Sequence, residues 1–139
     1  MRALRAFTIF ITGCMFYGAA EVFSRGYSHI TMGVLGGLSF LVIHEMNGEI
    51  ISGRTGKLTS ALISAFFITA SELLAGEILN RYMHLKIWNY SKQLMNFDGQ
   101  ICPGYSLMWL LLAFVGLYVD RGIRKYIFHE NTLSGSLTA

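Results

Sequence analysis

The stretch 58-LTSALISAFFITASELLAGEIL-79 is apolar along most of its length and carries only two charged residues, Glu72 and Glu77. A helix needs about 20 predominantly apolar residues to cross the hydrocarbon core of a bilayer. This stretch is long enough to do so, and three further apolar stretches occupy residues 6–23, 30–43 and 105–119. Such a pattern indicates that the solvent of this chain is lipid rather than water.

The composition supports a membrane protein with one domain. Hydrophobic residues make up 53% of the chain and charged residues 14%, against about 25% charged residues in ordinary soluble domains. We predict an all-α integral membrane bundle of four transmembrane helices, with spans near 6–23, 30–46, 58–80 and 103–120. The domain is expected to cover 1–130 and to be followed by a flexible polar tail at 131–139. The first stretch is interpreted as a retained helix, because no clean cleavage site ends it and three spans follow.

The positive charges predict the orientation in the membrane. One end of the predicted bundle carries Arg2, Arg5, Arg54, Lys57, Arg121, Arg124 and Lys125, and the other carries only Arg25, Arg81, Lys86 and Lys92. Cytoplasmic segments carry the excess of Lys and Arg, so both termini are predicted to be cytoplasmic in a multi-pass protein of the cell membrane. The net charge of +3 is explained by topology, and we predict no nucleic-acid partner.

Glu72 is the ionisable residue at the greatest predicted depth. A charge near the centre of a bilayer costs several kcal/mol, so its side chain is expected to face the interior of the bundle. Sequence leaves open whether its role is structural or functional. Two further acids stand four residues before an arginine, Glu21 before Arg25 and Glu77 before Arg81, and are interpreted as structural ion pairs near an interface. At the cytoplasmic end, His44 and Glu45 are expected to be solvated.

The long outer connector, 80–104, is rich in aromatic and amide side chains. One interpretation is that its rings anchor in the lipid headgroup zone, with Trp109 and Tyr118 marking the two interfaces. The other is that the connector folds back over the bundle as a cap or gate. The sequence favours anchoring.

Small residues predict where helices approach closely. Gly33, Gly36 and Gly37 lie in the second span, and Gly33 and Gly37 form a small-xxx-small pair. Packing within one bundle is the favoured explanation, over a dimer interface. Gly76 adds to the small surface of the third span.

Recognisable catalytic motifs are not found in the sequence. It contains no phosphate-binding Gly-rich loop with a Lys, no nucleophile elbow and no His pair at metal-ligand spacing. We therefore predict no ATPase activity, no catalytic residue, no metal and no cofactor.

Cys14 and Cys102 are predicted to lie in opposite halves of the membrane, too far apart to form a disulfide bond.

Several short blocks of the sequence together resemble a known family. They are 25-RGYSH-29 with Met32 and 35-LGG-37; Glu72 with Gly76 and Asn80; 88-WNYS-91; and 96-NF-97 and 99-GQIC-102 with Trp109. From about Gly18 to Phe128 the chain is similar to small bacterial membrane proteins called ABC-transporter type IV, or ABC transporter permeases. The resemblance implies a role in transport beside an ATP-binding partner subunit. Asn89 stands where relatives usually carry an Asp, so a role that needs a carboxylate there does not carry over.

Three functions are consistent with these observations. The prediction is a permease-like subunit for an unidentified small solute or lipid, working in the bilayer as a homo-oligomer or with an ATP-binding partner. Alternatives are a non-transport scaffold or pore-forming protein and, third, an intramembrane enzyme using Glu72 with Asn80, Arg81 and Tyr90. The residues expected to form the substrate path, or a structural polar cluster, are Glu72, Arg25, Glu21, Asn80, Arg81, Trp88, Asn89, Tyr90, Ser91, Asn96 and Gln100.

Overall fold

A computed structural model describes residues 2–130, without the side chains of Ser24 and Arg25. The predicted tail 131–139 therefore lies outside the described residues. The elements are α1 (Arg2–Arg25), α2 (Ile30–Ile51), α3 (Lys57–Gly76), a π-helical segment (Glu77–Tyr82) that continues α3, and α4 (Pro103–Tyr126). All four helices are long and apolar enough to cross a membrane, with the third span running from Lys57 to Tyr82. The predicted all-α membrane bundle is confirmed.

Local residues explain where the helices begin and end. Helix α1 is followed by Gly26, whose φ of +80° suits glycine and reverses the chain. The ring of His29 then caps α2, because its Nδ1 atom accepts a hydrogen bond from the Thr31 backbone nitrogen at 3.3 Å. Pro103 occupies the first turn of α4, where its missing N–H costs no hydrogen bond.

Helices α1, α2 and α4 extend further than the apolar stretches indicated, and α1 begins at Arg2 rather than near residue 6. Helix α2 continues to Ile51 and α4 to Tyr126, rather than ending near residues 46 and 120. The added turns contain polar residues that pair across the bundle, so their side chains need not reach water. These extensions bring together a polar cluster described below.

A glycine seam joins α1 to α2. A Cβ atom added to Gly13 would lie 2.6 Å from the Gly36 carbonyl oxygen, and one added to Gly37 would lie 2.7 Å from the Phe10 ring. Gly36 faces Tyr17 still more closely. The prediction that Gly33 packs within the bundle is wrong, since nothing lies within 4 Å of the position of its Cβ, and a dimer interface at Gly33 stays a prediction. The close contact is thus formed within the chain by Gly13, Gly36 and Gly37.

The remaining helices form the core of the bundle. Helix α2 packs against α3 and α4, α3 packs against α4, and α1 packs along α2 at the edge. Most of the surface of α1 is exposed. The main apolar cluster consists of Ile9, Phe40, Ile43, Ile50, Ala61, Ala113, Leu117 and Ile123.

The connector 83–102 folds back into the bundle. Ile87, Trp88 and Tyr90 are buried, and they form a second apolar cluster with Met32 and Leu35 of α2. Anchoring in the headgroup zone is therefore wrong for Trp88 and Tyr90, whose exposed fractions are 5% and 9%. It is also wrong for Trp109, which is buried, whereas Tyr118 is exposed. Aromatic rings that were expected at an interface instead fill the end of the bundle.

Both cysteines, Cys14 and Cys102, are free.

Candidate functional site

Glu72 lies inside the bundle, on the face that α3 presents to its neighbours. Its exposed fraction is 1%, and Ile68 one turn earlier and Gly76 one turn later are buried on the same face. The hydroxyl of Tyr90 donates a hydrogen bond to Oε1 at 2.8 Å, and the indole nitrogen of Trp109 donates to Oε2 at 2.9 Å. These two donors offset part of the cost of burying a carboxyl group.

Aromatic rings surround this carboxyl group. Tyr90 stacks on Tyr105 with ring centroids 4.5 Å apart, and Trp109 stacks on Tyr17 at 5.5 Å. Together with Glu72 these four residues are called the Glu72 cluster. Its members come from α1, α3, α4 and the connector, so the cluster exists only when the connector is docked.

The phenol of Tyr90 is held in its protonated form. Burial raises the pKa of Tyr90 above its ordinary value, and the nearby Glu72 carboxylate raises this pKa further. A protonated phenol is the form that can donate to Glu72.

Asn80 fixes the start of the connector. It lies in the π-helical segment, where its Oδ1 accepts a hydrogen bond from the Ile87 backbone nitrogen at 2.7 Å and its Nδ2 donates to Gln100 Oε1 at 2.9 Å. Gln100 in turn accepts, through its backbone oxygen, the indole N–H of Trp88 at 3.0 Å. One asparagine thus joins the end of the third span to both arms of the connector.

Gly76 makes room for this arrangement. Any Cβ atom at residue 76 would collide with the side chain of Gln100. Gly76 therefore permits close packing, as predicted, but the element that packs on it is the connector and not another helix.

The tip of the connector is a set of tight turns. Asn89 Oδ1 accepts a hydrogen bond from the Ser91 backbone nitrogen at 2.8 Å, and Asn96 Nδ2 donates to the Ser91 carbonyl at 3.1 Å. Asn96 Oδ1 also accepts from the Gly99 backbone nitrogen at 3.0 Å. Asn89, Ser91 and Asn96 thus satisfy the backbone of the turn.

The predicted ion pairs stand apart from the Glu72 cluster. Arg81 pairs with Glu77 at 3.1 Å and with Asp98 of the connector at 3.3 Å, all at exposed positions. Glu21 is partly buried in α1. Its predicted pair with Arg25 lies outside the described residues, because the Arg25 side chain is among those left undescribed. The structure therefore brings Tyr90 to Glu72, and brings Trp88 and Gln100 to Asn80.

A second polar cluster, which the sequence analysis missed, lies at the opposite end of the bundle. Asp120 has no exposed surface. Its Oδ1 contacts His44 Nδ1 at 2.5 Å, and its Oδ2 accepts hydrogen bonds from Asn47 Nδ2 at 2.7 Å and Arg124 Nε at 2.8 Å. His44, Asn47, Asp120 and Arg124 are called the Asp120 cluster. The expectation that His44 is solvated is wrong.

The cluster also holds Glu130, the last residue that the structure describes. Arg124 donates to the His44 carbonyl oxygen at 2.7 Å and to Glu130 at 2.7 Å, and Glu130 pairs with Arg5 of α1. A signal was present in the sequence, since His44 and Asn47 are three residues apart and Asp120 and Arg124 four apart. It was overlooked because both pairs fall beyond the apolar stretches.

Neither cluster has the composition of a metal centre. Within residues 2–130, no group of three His, Cys, Asp or Glu side chains lies close enough to hold a metal ion. In the Glu72 cluster the buried carboxyl group of Glu72 is a hydrogen-bond acceptor. One of its two donors, Tyr90, belongs to the connector, and the other, Trp109, belongs to α4. That arrangement suits recognition of a hydrogen-bonding group more than bond making or breaking.

Comparisons with known proteins identify the family. A family model described as "Putative ABC-transporter type IV" matches residues 5–133, which include all four spans and the connector. Neither the curated proteins nor the solved structures gave a match. Since the matched region covers nearly the whole chain, this protein belongs to the putative ABC-transporter type IV family of membrane proteins.

Proposed function

We propose that the protein is a permease-like membrane subunit that helps to move a small solute or lipid across the cell membrane, with both termini in the cytoplasm. The observation that carries the proposal is the Glu72 carboxyl group, buried at 1% exposure and bonded to Tyr90 of the connector. Ionisable groups held at membrane depth mark substrate and ion pathways in many membrane proteins. Family membership supports the same conclusion.

The connector is the element that would control access to this carboxyl group. Tyr90 of the connector donates a hydrogen bond to Glu72 at 2.8 Å, whereas the other donor, Trp109, lies within α4. Displacing the connector would remove Tyr90 from Glu72 and leave Trp109 in place. A substrate that supplies a hydrogen-bond donor would then replace the phenol.

Assembly with other subunits is part of the proposal. Helix α1 packs mainly along α2, reaches α4 through the stack of Tyr17 on Trp109, and leaves a broad apolar surface that includes Phe7, Met15 and Phe16. Four helices alone rarely enclose a route for a solute, so a second copy or a partner is required. The family suggests an ATP-binding subunit as that partner.

A non-transport scaffold is the second candidate. The stacked rings and the two donors to Glu72 would equally suit a rigid structural centre that locks three helices and the connector. The intramembrane enzyme is less well supported. Of its three proposed helpers only Tyr90 contacts Glu72, whereas Asn80 accepts from the connector backbone and Arg81 pairs with Glu77 and Asp98.

The proposal is tested by isolating the protein from its native membrane in mild detergent and identifying what accompanies it. We expect an ATP-hydrolysing subunit, and we expect Glu72→Gln to abolish substrate-stimulated ATP hydrolysis while the complex still assembles. The matched control is Glu77→Gln, an exposed acid on the same span, which should retain activity. Loss of folding in Glu72→Gln alone would favour the scaffold, and absence of any ATP-binding partner would contradict the proposal.

A further inference from the structure

A small cleft opens between α2, α3 and α4 at the end of the bundle where α1 begins and α4 ends. Its cavity is about 10 Å³, and its lining includes Asn47, Lys57, Leu117, Tyr118 and Arg121. A cavity of this size holds about one water molecule. It is called the Lys57–Arg121 cleft.

Two buried polar atoms at this cleft have no hydrogen-bond partner among residues 2–130. They are Oδ1 of Asn47 and Nη2 of Arg121. Asn47 has no exposed surface, and its Nδ2 is already engaged by Asp120 and by the Leu117 carbonyl. Because both partners are acceptors, the amide atom that faces them must be the nitrogen. A flip of the Asn47 amide would therefore not give Oδ1 a hydrogen-bond partner. An unpaired buried acceptor and an unpaired buried donor at one cavity indicate a bound hydrogen-bonding group, and a water molecule of the size that the cavity holds would satisfy both atoms.

The charge of the cleft identifies the ligand as an anion. In the described part of the chain no carboxylate pairs with Lys57 or Arg121, whereas Arg124 nearby is neutralised by Asp120 and Glu130. The Lys57 amine lies 5.8 Å from the centroid of the Tyr118 ring. Lys57 is also the first residue of α3, whose N-terminus has no side-chain cap. Two unpaired cations and a helix N-terminus all favour negative charge at this place.

The surroundings of the cleft identify the source of the anion as a lipid. Ile50, Phe114 and Leu117 give it apolar walls, and the exposed ring of Tyr118 stands at its edge. Lys57 begins one span and Arg121 lies near the end of another, so both cations are at the depth of lipid headgroups. Basic pockets between transmembrane helices are known to bind anionic headgroups.

We propose that the Lys57–Arg121 cleft binds the phosphate of an anionic phospholipid. Lys57 and Arg121 contact the phosphate oxygens, and one water molecule links the headgroup to Asn47 Oδ1. The acyl chains lie along the apolar surface of α4. This site is at the opposite end of the bundle from the Glu72 cluster and does not depend on a transport function.

The test is a titration of the purified full-length protein in neutral detergent with short-chain phosphatidylglycerol, followed by native mass spectrometry. Phosphatidylcholine serves as the neutral comparison. We expect phosphatidylglycerol to bind more tightly. Lys57→Gln and Arg121→Gln should each weaken that binding about fivefold, and the double variant about 25-fold. Arg121→Lys keeps the charge and should retain most of the affinity.

Lys125→Gln is the matched control, since Lys125 is exposed on the next turn of α4 and lies 5.1 Å from the Tyr126 ring centroid. It should bind phosphatidylglycerol as the unmodified protein does. An equal loss in this control, or full binding in the double variant, would overturn the proposal. So would competition by soluble glycerol phosphate at equal concentration, because that result would identify a site for free phosphate compounds. Thermal unfolding without added lipid checks that each variant is folded.

Discussion

Tyr90 of the connector donates its phenolic hydrogen to Glu72 of α3 across 2.8 Å, although the two residues are 18 positions apart in the chain. This contact joins the connector to the buried acid of α3. It is also the contact whose loss would uncover that acid.

Tyr90→Phe removes the hydroxyl and keeps the ring stacked on Tyr105. Hydrogen bonds to charged groups contribute about 1.5–3 kcal/mol, so the free energy of unfolding should fall by roughly that amount. Unfolding by SDS in mixed micelles, followed by the fluorescence of Trp88 and Trp109, measures the change. Tyr82→Phe is the control, because Tyr82 is 84% exposed and its variant should match the unmodified protein. Equal stability of the two variants would contradict the structural role of the contact.

The raised pKa of Tyr90 predicts a dependence of stability on pH. The unfolded phenol has a pKa of about 10, and the folded pKa is higher, so the folded state favours the protonated form. The resulting stability is fully present below about pH 10 and is lost as pH rises toward the folded pKa. The near-ultraviolet absorbance of tyrosinate, compared between the unmodified protein and Tyr90→Phe, reports this group. Ionisation of Tyr90 near its ordinary pKa in the folded protein would refute the prediction.

Gly36→Ala should disrupt the seam between α1 and α2. The new methyl group would meet the Tyr17 side chain, and overpacking of this kind costs about 1–3 kcal/mol. Gly33→Ala is the matched control on the same helix. Since nothing lies near its Cβ, and alanine favours helix more than glycine, this variant should be as stable as the unmodified protein or slightly more stable. The same SDS unfolding assay distinguishes the two, and equal effects would argue against the seam.

Asp120→Asn should destabilise the end of the bundle where α1 begins and α4 ends. The change removes the buried charge that holds Arg124 and His44, and breaking a buried ion pair costs about 3–5 kcal/mol. Asp98→Asn, at a half-exposed position paired with Arg81, should cost under about 1 kcal/mol. Thermal unfolding in detergent compares them. Similar melting temperatures would show that the Asp120 cluster contributes little.

Asn80→Ala should loosen the connector without unfolding the helices. It removes the acceptor for the Ile87 backbone nitrogen and the donor to Gln100, a loss of about 1–3 kcal/mol. Trypsin should then cleave after Lys86 and Lys92 roughly tenfold faster, because cleavage follows the population of the open connector. Gln93→Ala, at an exposed position in the same connector, should be cleaved at the unmodified rate. Unchanged cleavage of Asn80→Ala would show that this asparagine does not hold the connector.

The distribution of apolar residues was sufficient to predict four spans and the all-α class, because insertion into lipid depends on the local composition of each segment. The same reasoning predicted that Glu72 faces the interior. It failed for Trp88 and Tyr90, since composition alone does not distinguish a ring in the headgroup zone from one buried by a connector that folds back.

The sequence by itself determined that this protein crosses a membrane and which acid must be sheltered, because the cost of placing a polar group in hydrocarbon is a property of the segment that carries it. Only the tertiary structure decided which groups shelter it. His44 and Asp120 are 76 positions apart, and their contact depends on how far α2 and α4 extend and on the register in which they pack. Those quantities follow from the close approach of whole helices, which no single segment encodes.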